Sequence, residues 1–172
     1  MKKFILLMVS VAFLFAACSK DTETQDQQAQ TSEQTTETAA PQAGETSDAL
    51  QLTVNADDAM KFDVTELKAK EGQKVKLTLH HVGKMPKAAM GHNWILLASG
   101  VDVKTFAEAA IGAKDSDYIP AAHAKDIIAH TKLIGGGETT EIEFTAPAKG
   151  TYDFICSFPG HYGMMHGKFI VE

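Results

Sequence analysis

Three potential metal donors lie within ten residues near the C-terminus: Cys156, His161 and Met165, at the spacing Cys-x4-His-x3-Met. A thiolate and a thioether are soft donors and an imidazole is borderline, which suits copper cycling between Cu(I) and Cu(II) and does not suit magnesium or calcium. Pro159 and Gly160 interrupt the segment and predict a loop. The chain must therefore fold so that one short loop presents three donors to a single ion.

A trigonal copper site needs a second imidazole, and the candidate is His92, which lies far upstream. Two neutral imidazoles and one thiolate define a plane that neither copper oxidation state strongly prefers, and a long axial contact from Met165 tunes the potential. Taken singly, a cysteine, a histidine or a methionine is more often an ordinary core or surface residue. The joint spacing favours copper, and zinc stays an alternative because cysteine and two histidines also bind zinc.

Three separated segments resemble azurin, a family of small blue-copper cupredoxins. They occur in the azurin order and with azurin-like gaps, and they are Met90-Gly91-His92-Asn93-Trp94, 128–138 (IAHTKLIGGGE) and 154–161 (FICSFPGH). The resemblance covers residues 50–172. It implies that the copper ligands are His92, Cys156 and His161 in the equatorial plane, Met165 as the weak axial ligand, and the carbonyl of Gly91 as a second, distant axial contact.

The same resemblance assigns supporting roles to other residues. It implies that Asn93 joins the two ligand segments by hydrogen bonds and that Trp94 lies in the core. It disfavours Met164 as the axial ligand, since the azurin spacing selects the following methionine. His166 stands where azurins commonly carry lysine, and we expect it to be a solvated loop residue. His81 matches an azurin position that is not a ligand position.

Alternation of apolar and polar residues predicts β-strands beyond residue 50. The inward-facing sets are Val75, Leu77 and Leu79; Ile142 and Phe144; and Tyr152, Phe154 and Cys156. The exception is the segment 101–111, where apolar residues recur at helical spacing before Gly112 and predict one short helix. With the resemblance, these patterns indicate an all-β fold, an eight-stranded Greek-key β-sandwich of the cupredoxin type with one short helix outside the sandwich.

The first 49 residues have the features of a signal for export and of a lipid anchor with a tether. Lys2 and Lys3 precede an apolar run that ends at residue 17, which predicts a lipoprotein-type signal peptide over residues 1–17. Residues 14–18 (LFAAC) resemble a bacterial lipobox, which implies that Cys18 is lipidated; a simple secreted form is the alternative. Residues 18–49 are rich in Thr, Gln and Glu and predict a disordered tether. Residues 50–172 form the azurin-like domain.

Charge and cysteine content narrow the classes of partner. The chain has a net charge of −6 and no arginine, so it lacks the basic stripe of a nucleic-acid-binding protein. Its two cysteines are assigned to a lipid and to a metal, and we therefore expect no disulfide. The expected partners are redox proteins such as cytochromes or copper or haem reductases, and a membrane reached through the lipid on Cys18. We expect no small-molecule substrate.

Together these features predict a type 1 copper protein on the periplasmic side of the bacterial cell envelope, which carries single electrons between redox partners and is not an enzyme. His161 is the expected electron port, beside a methionine patch formed by Met60, Met85, Met90, Phe158 and Met164. A copper storage or delivery protein is the main alternative. A thiol hydrolase with Cys156 as the nucleophile is disfavoured, because no orienting carboxylate is apparent.

Overall fold

The computed structural model describes residues 49–172. The predicted signal peptide, the lipidation site at Cys18 and the tether up to residue 48 lie outside the described residues. They remain predictions from the sequence.

Eight β-strands account for most of the regular structure. They are β1 (Leu50–Ala56), β2 (Glu66–Ala69), β3 (Lys74–His81), β4 (Ile95–Leu97), β5 (Ile127–His130), β6 (Thr139–Thr145), β7 (Gly150–Ile155) and β8 (His166–Val171). The alternating segments of the sequence correspond to β3, β6 and β7. In β3 buried and more exposed residues alternate, and the buried residues Val75, Leu77 and Leu79 expose none of their surface.

The strands form two sheets, of three strands in the order β1-β3-β6 and of five strands in the order β2-β8-β7-β4-β5. β1 pairs with β3 and β2 with β8 in parallel, whereas the other pairs are antiparallel. Parallel neighbours need connections that leave the sheet edge, so the chain passes repeatedly from one sheet to the other. The predicted eight-stranded β-sandwich is confirmed.

Aromatic and branched aliphatic side chains fill the space between the sheets. Trp94 is fully buried, and its ring lies 5.6 Å from Phe154 and 5.9 Å from Phe144, measured between ring centroids. Within residues 49–172 its indole Nε1 is the one fully buried side-chain nitrogen or oxygen without a hydrogen-bond partner. The predicted core position of Trp94 is correct, and it anchors the strand that begins directly after the first candidate ligand segment.

The predicted helix is present as α2 (Val103–Ile111), which follows the four-residue α1 (Lys87–Met90) in the chain. Asp102 caps α2 by accepting a hydrogen bond from the backbone N–H of Thr105 at 2.7 Å, and Phe106 packs the helix against Ile95 of β4. Sequence analysis predicted neither α1 nor the 3-10 turns Lys114–Ser116 and Ala121–Asp126. Across the described part of the chain, no helix is long and apolar enough to cross a membrane.

Candidate metal centre

The C-terminal donor segment is the loop that joins β7 to β8. Cys156 follows the last residue of β7 and Met165 precedes the first residue of β8, so the two residues face each other as the next pair of the strand ladder. The backbone N–H of Cys156 donates to the carbonyl of Met165 at 2.9 Å. Inside the loop, the backbone N–H of His161 donates to the Phe158 carbonyl at 3.0 Å. The backbone N–H of Met165 donates to the His161 carbonyl at 2.8 Å. The loop is therefore braced at its base and across its turn.

His92 reaches the same place from the strand next to β7, because it lies shortly before β4, which pairs with β7 in the five-stranded sheet. Its backbone exchanges two hydrogen bonds of 2.9 Å with Ile134, which fixes the chain just before β4. Gly91 passes so close to α1 that a Cβ atom there would lie 2.7 Å from the carbonyl oxygen of Lys87 and 3.0 Å from the side chain of Leu133. The lack of a side chain at this position is thus a condition for placing His92.

Three donor atoms converge at this end of the sandwich. The sulfur of Cys156 lies 3.9 Å from Nδ1 of His92 and 3.7 Å from Nδ1 of His161, and all three donors lie within 4.8 Å of one another. Donors held at 2.0–2.3 Å around one ion in a trigonal plane are roughly 3.5–3.8 Å apart. The observed distances fit a single bound transition-metal ion with little movement of the side chains.

The hydrogen bond on the far nitrogen sets the tautomer of His92. Its Nε2 lies 2.9 Å from the carbonyl oxygen of Asp57, which only a protonated nitrogen can approach as a donor. The lone pair is then on Nδ1, the atom that faces the sulfur of Cys156. A backbone carbonyl in this position both orients the ring and strengthens the imidazole as a metal ligand.

Burial determines the protonation of all three donors. Loss of hydration lowers the pKa of His92 to about 4 and that of His161 to about 4, so both rings are neutral at pH 7 and have a free lone pair. Burial raises the pKa of the Cys156 thiol to about 12, against the opposing effect of backbone N–H groups from Asn93 and Phe158. A bound cation is therefore what makes this sulfur a thiolate at neutral pH.

Both candidate axial groups are associated with Cys156. Met165 is fully buried in the same core cluster as Cys156, and the carbonyl oxygen of Gly91 lies 4.0 Å from the cysteine sulfur. Met164, in contrast, exposes 55% of its surface and lies outside this cluster. The preference for Met165 over Met164 agrees with this burial.

Asn93 and Ser157 link the two donor segments, as predicted for Asn93. The backbone N–H of Ser157 donates to Oδ1 of Asn93 at 2.9 Å, and Nδ2 of Asn93 donates to Oγ of Ser157 at 2.9 Å and to the carbonyl of Asp117 at 2.9 Å. Both Asn93 and Ser157 are buried. This network joins residues 64 apart in sequence, next to His92 on one side and Cys156 on the other.

Two residues that support the donor site, Asp57 and Asp58, were not predicted from the sequence. Asp57 contributes only its backbone carbonyl, which no side-chain motif reveals. The carboxylate of Asp58 accepts hydrogen bonds from the backbone N–H groups of Lys84 at 2.8 Å and Met85 at 3.1 Å, and the Lys84 bond is the main reason that its pKa is lowered. It thereby fastens the segment before α1 to the loop that carries Asp57.

The remaining histidines divide into one close neighbour and four that lie outside the donor cluster. His81 is fully buried, and the centroid of its ring lies 4.4 Å from that of His92. Its Nε2 donates to the carbonyl of Met90 at 2.9 Å, and its Nδ1 accepts from the backbone N–H of Gly83. The four outside the cluster are His80, His123, His130 and His166. His166 is exposed as expected, but it begins β8 and is not a loop residue.

A β-sandwich with two neutral imidazoles and one cysteine sulfur converging in a buried site defines a mononuclear copper protein of the cupredoxin class. Residues 48–172 match the family described as copper binding proteins, plastocyanin/azurin family, and the chain belongs to this family. Copper is therefore its cofactor, in a single type 1 site, as predicted from the donor set.

Two relatives illustrate the similarity in sequence. Outer membrane protein H.8 of Neisseria gonorrhoeae is 41% identical over 120 residues, which are 67% of this chain and 64% of that protein. Azurin-2 of Alcaligenes xylosoxydans xylosoxydans is 42% identical over 123 residues, which are 68% of this chain and 93% of that protein. The chain thus spans 64% of the length of the H.8 protein and nearly all of the azurin.

Among solved structures, auracyanin A, described as a blue copper protein from the photosynthetic bacterium Chloroflexus aurantiacus, superposes with a TM-score of 0.66 at 36% identity. The match covers 72% of this chain and 99% of auracyanin A. The cupredoxin fold inferred from the sequence is thus confirmed by a solved relative.

Proposed function

We propose that this chain carries single electrons between redox proteins, with copper held by His92, Cys156 and His161 as equatorial ligands. The supporting observation is the convergence of these three donors in a buried site, at mutual distances that suit one ion. Met165 is the weak axial ligand, and the Gly91 carbonyl is the second, more distant axial contact. Bound copper supplies one-electron redox chemistry, and the protein supplies a fixed, dry cage.

The rigid positions of the donor side chains favour electron transfer over the other functions proposed for the site. The Asn93 network and the β7–β8 ladder hold the donor segments from both sides, so the side chains have little freedom to rearrange when the charge of the site changes. Small rearrangement lowers the barrier to gaining or losing an electron. This role is that of an electron carrier and not of an enzyme.

Electrons enter and leave through the edge of His161. This ring is 3% exposed, the largest exposure among the three donors, and its centroid lies 4.6 Å from that of Phe158, which is half-buried. Of the residues predicted to form the methionine patch, Met85 and Met164 expose 38% and 55% of their surfaces. Adaptable methionine side chains suit brief contacts with different partners.

Location in the bacterial cell envelope, on its periplasmic side, completes the proposal. The supporting observations are the signal-like residues 1–17, the lipobox-like sequence before Cys18, and the printed name of the Neisseria relative, outer membrane protein H.8. A lipid on Cys18 anchors the domain to a membrane. The partners are redox proteins such as cytochromes or copper or haem reductases.

Copper storage or delivery is the competing function, and complete burial of His92 and Cys156 argues against it because metal exchange needs access to the ligands. The test is repeated reduction and oxidation of the copper-loaded chain in the presence of a Cu(I) chelator. We expect reversible cycling with the copper retained. Rapid loss of copper to the chelator in the reduced state would favour delivery and contradict the electron-carrier proposal.

A further inference from the structure

A cleft of about 250 Å³ opens beside the candidate metal centre, and it is a different surface from the methionine patch, with which it shares only Phe158. Four chain segments form it: α1, the turn that ends at Tyr118, the segment around Leu133 and the β7–β8 loop at Phe158. Its lining residues are Lys87, Ala88, Lys114, Asp117, Tyr118, Leu133 and Phe158.

The floor of the cleft is in aromatic contact with a candidate copper ligand. The rings of Tyr118 and Phe158 meet edge to face with centroids 5.1 Å apart, and the Phe158 ring lies 4.6 Å from that of His161. The side chain of Leu133 approaches Gly91, next to His92. An apolar side chain seated in the cleft would therefore lie one aromatic ring away from the imidazole that serves as the electron port.

The rim of the cleft is positive although the domain is negative. The residues that line it include two lysines, Lys87 and Lys114, against one aspartate, Asp117, whereas residues 50–172 as a whole contain thirteen lysines against fifteen acidic residues. Lys87 and Lys114 are both exposed. The carboxylate of Asp117 is turned to the backbone N–H of Leu133, from which it accepts a hydrogen bond at 3.3 Å.

We propose that this lysine-flanked cleft docks a redox protein whose contact face presents an apolar side chain surrounded by carboxylates. The apolar side chain occupies the cleft above Phe158, and the carboxylates pair with Lys87 and Lys114. Such pairs steer the encounter and set its orientation more than its final strength. The proposal rests on the proposed electron-carrier function, and it adds the charge and shape of the partner.

The test is a titration of the copper-loaded chain, in its reduced and diamagnetic form, with a reduced c-type cytochrome of acidic surface, so that no electron is transferred, followed by the backbone NMR signals. A c-type cytochrome of basic surface serves as the comparison probe. We expect the acidic protein to shift the signals of residues 87, 88, 114, 118 and 133, with an affinity that falls as salt is added.

One charge-reversed double variant, one matched control and one cleft-filling variant complete the design. Combined Lys87→Glu and Lys114→Glu should weaken binding of the acidic cytochrome by roughly three- to tenfold at low salt. Lys149→Glu, an exposed lysine just before β7, at the strand end opposite Cys156, should leave binding unchanged. Ala88→Phe, which fills the cleft without changing charge, should also weaken binding.

Four results would overturn the proposal: shifts confined to the methionine patch, equal effects of the Lys149 control and the double variant, equal binding of the basic cytochrome, or no shift at the cleft with either probe. Binding is measured here without electron transfer. Failure of the docking proposal therefore leaves reversible copper cycling intact, whereas failure of the electron-carrier proposal appears as loss of that cycling. An unchanged optical spectrum of each variant shows that its metal site is preserved.

Discussion

The amide group of Asn93 and the backbone and hydroxyl of Ser157 form a reciprocal pair of buried hydrogen bonds, each 2.9 Å long, between the two segments that carry the metal donors. Each residue directly follows a candidate ligand, His92 or Cys156. The pair thus fixes the separation of donors whose segments lie 64 residues apart in the sequence.

Replacement of Asn93 by alanine should destabilise the metal-free protein by about 3 kcal/mol, because it leaves the buried N–H of Ser157 without an acceptor. Ser157→Ala keeps that N–H bond to Asn93 and loses only the hydroxyl contacts, so it should cost about 1 kcal/mol. Denaturant unfolding of the metal-free chains measures both. Equal effects of the two substitutions would contradict the bridging role of Asn93.

Replacement of Cys156 by alanine should abolish the intense blue colour of the copper-loaded chain, since that colour arises from charge transfer between a cysteine thiolate and copper. The optical spectrum of the variant after copper loading is the measurement. The alternative metal is tested in the same way on the unchanged chain, because zinc would leave it colourless. A variant that stayed blue would refute the assignment of Cys156 as a ligand.

Replacement of Met165 by leucine should keep the blue colour and raise the reduction potential by an amount on the order of 60 mV, which is a tenfold change in the one-electron equilibrium. Loss of the thioether removes a donor that stabilises Cu(II), and the leucine side chain keeps water out. Met164→Leu is the control, because Met164 is 55% exposed and lies outside the core. A larger potential change for Met164 than for Met165 would reverse the axial assignment.

Replacement of Gly91 by alanine should cost about 2 kcal/mol and change the optical spectrum of the copper form, because the new Cβ would lie 2.7 Å from the Lys87 carbonyl oxygen and force the backbone beside the sulfur to move. Gly163→Ala is the matched control, since a Cβ at position 163 meets no atom within 4 Å. Thermal unfolding and absorption spectra of both variants provide the comparison. The explanation fails if the two glycines tolerate alanine equally well.

The parts of the structure that sequence reasoning predicted are those with local signals. The alternation of Val75, Leu77 and Leu79 reports directly which face of a strand is buried, because side chains alternate across a sheet. The donors Cys156 and His161 lie on one loop, so their spacing alone indicates a shared ion. His92 was proposed because a trigonal copper site needs a second imidazole, and the resemblance to azurins then assigned it as a ligand; no local pattern pairs it with Cys156 and His161.

The parts that were missed depend on backbone atoms or on long-range contacts. The carbonyl of Asp57 orients His92, and any residue carries such a carbonyl. The carboxylate of Asp58 reaches backbone N–H groups 26 and 27 residues away, which neither periodicity nor a short motif records. The helix α1 has four residues, too few to show a helical period. The residues that hold the metal ligands in place are therefore harder to predict from a sequence such as this one than the ligands themselves.

The most direct test of the account is a crystal structure of the copper-loaded chain with anomalous scattering recorded at the copper absorption edge. We predict one anomalous peak within bonding distance of Nδ1 of His92, the sulfur of Cys156 and Nδ1 of His161. A peak bound to fewer than all three of these atoms, or one at another set of side chains, would contradict the central claim.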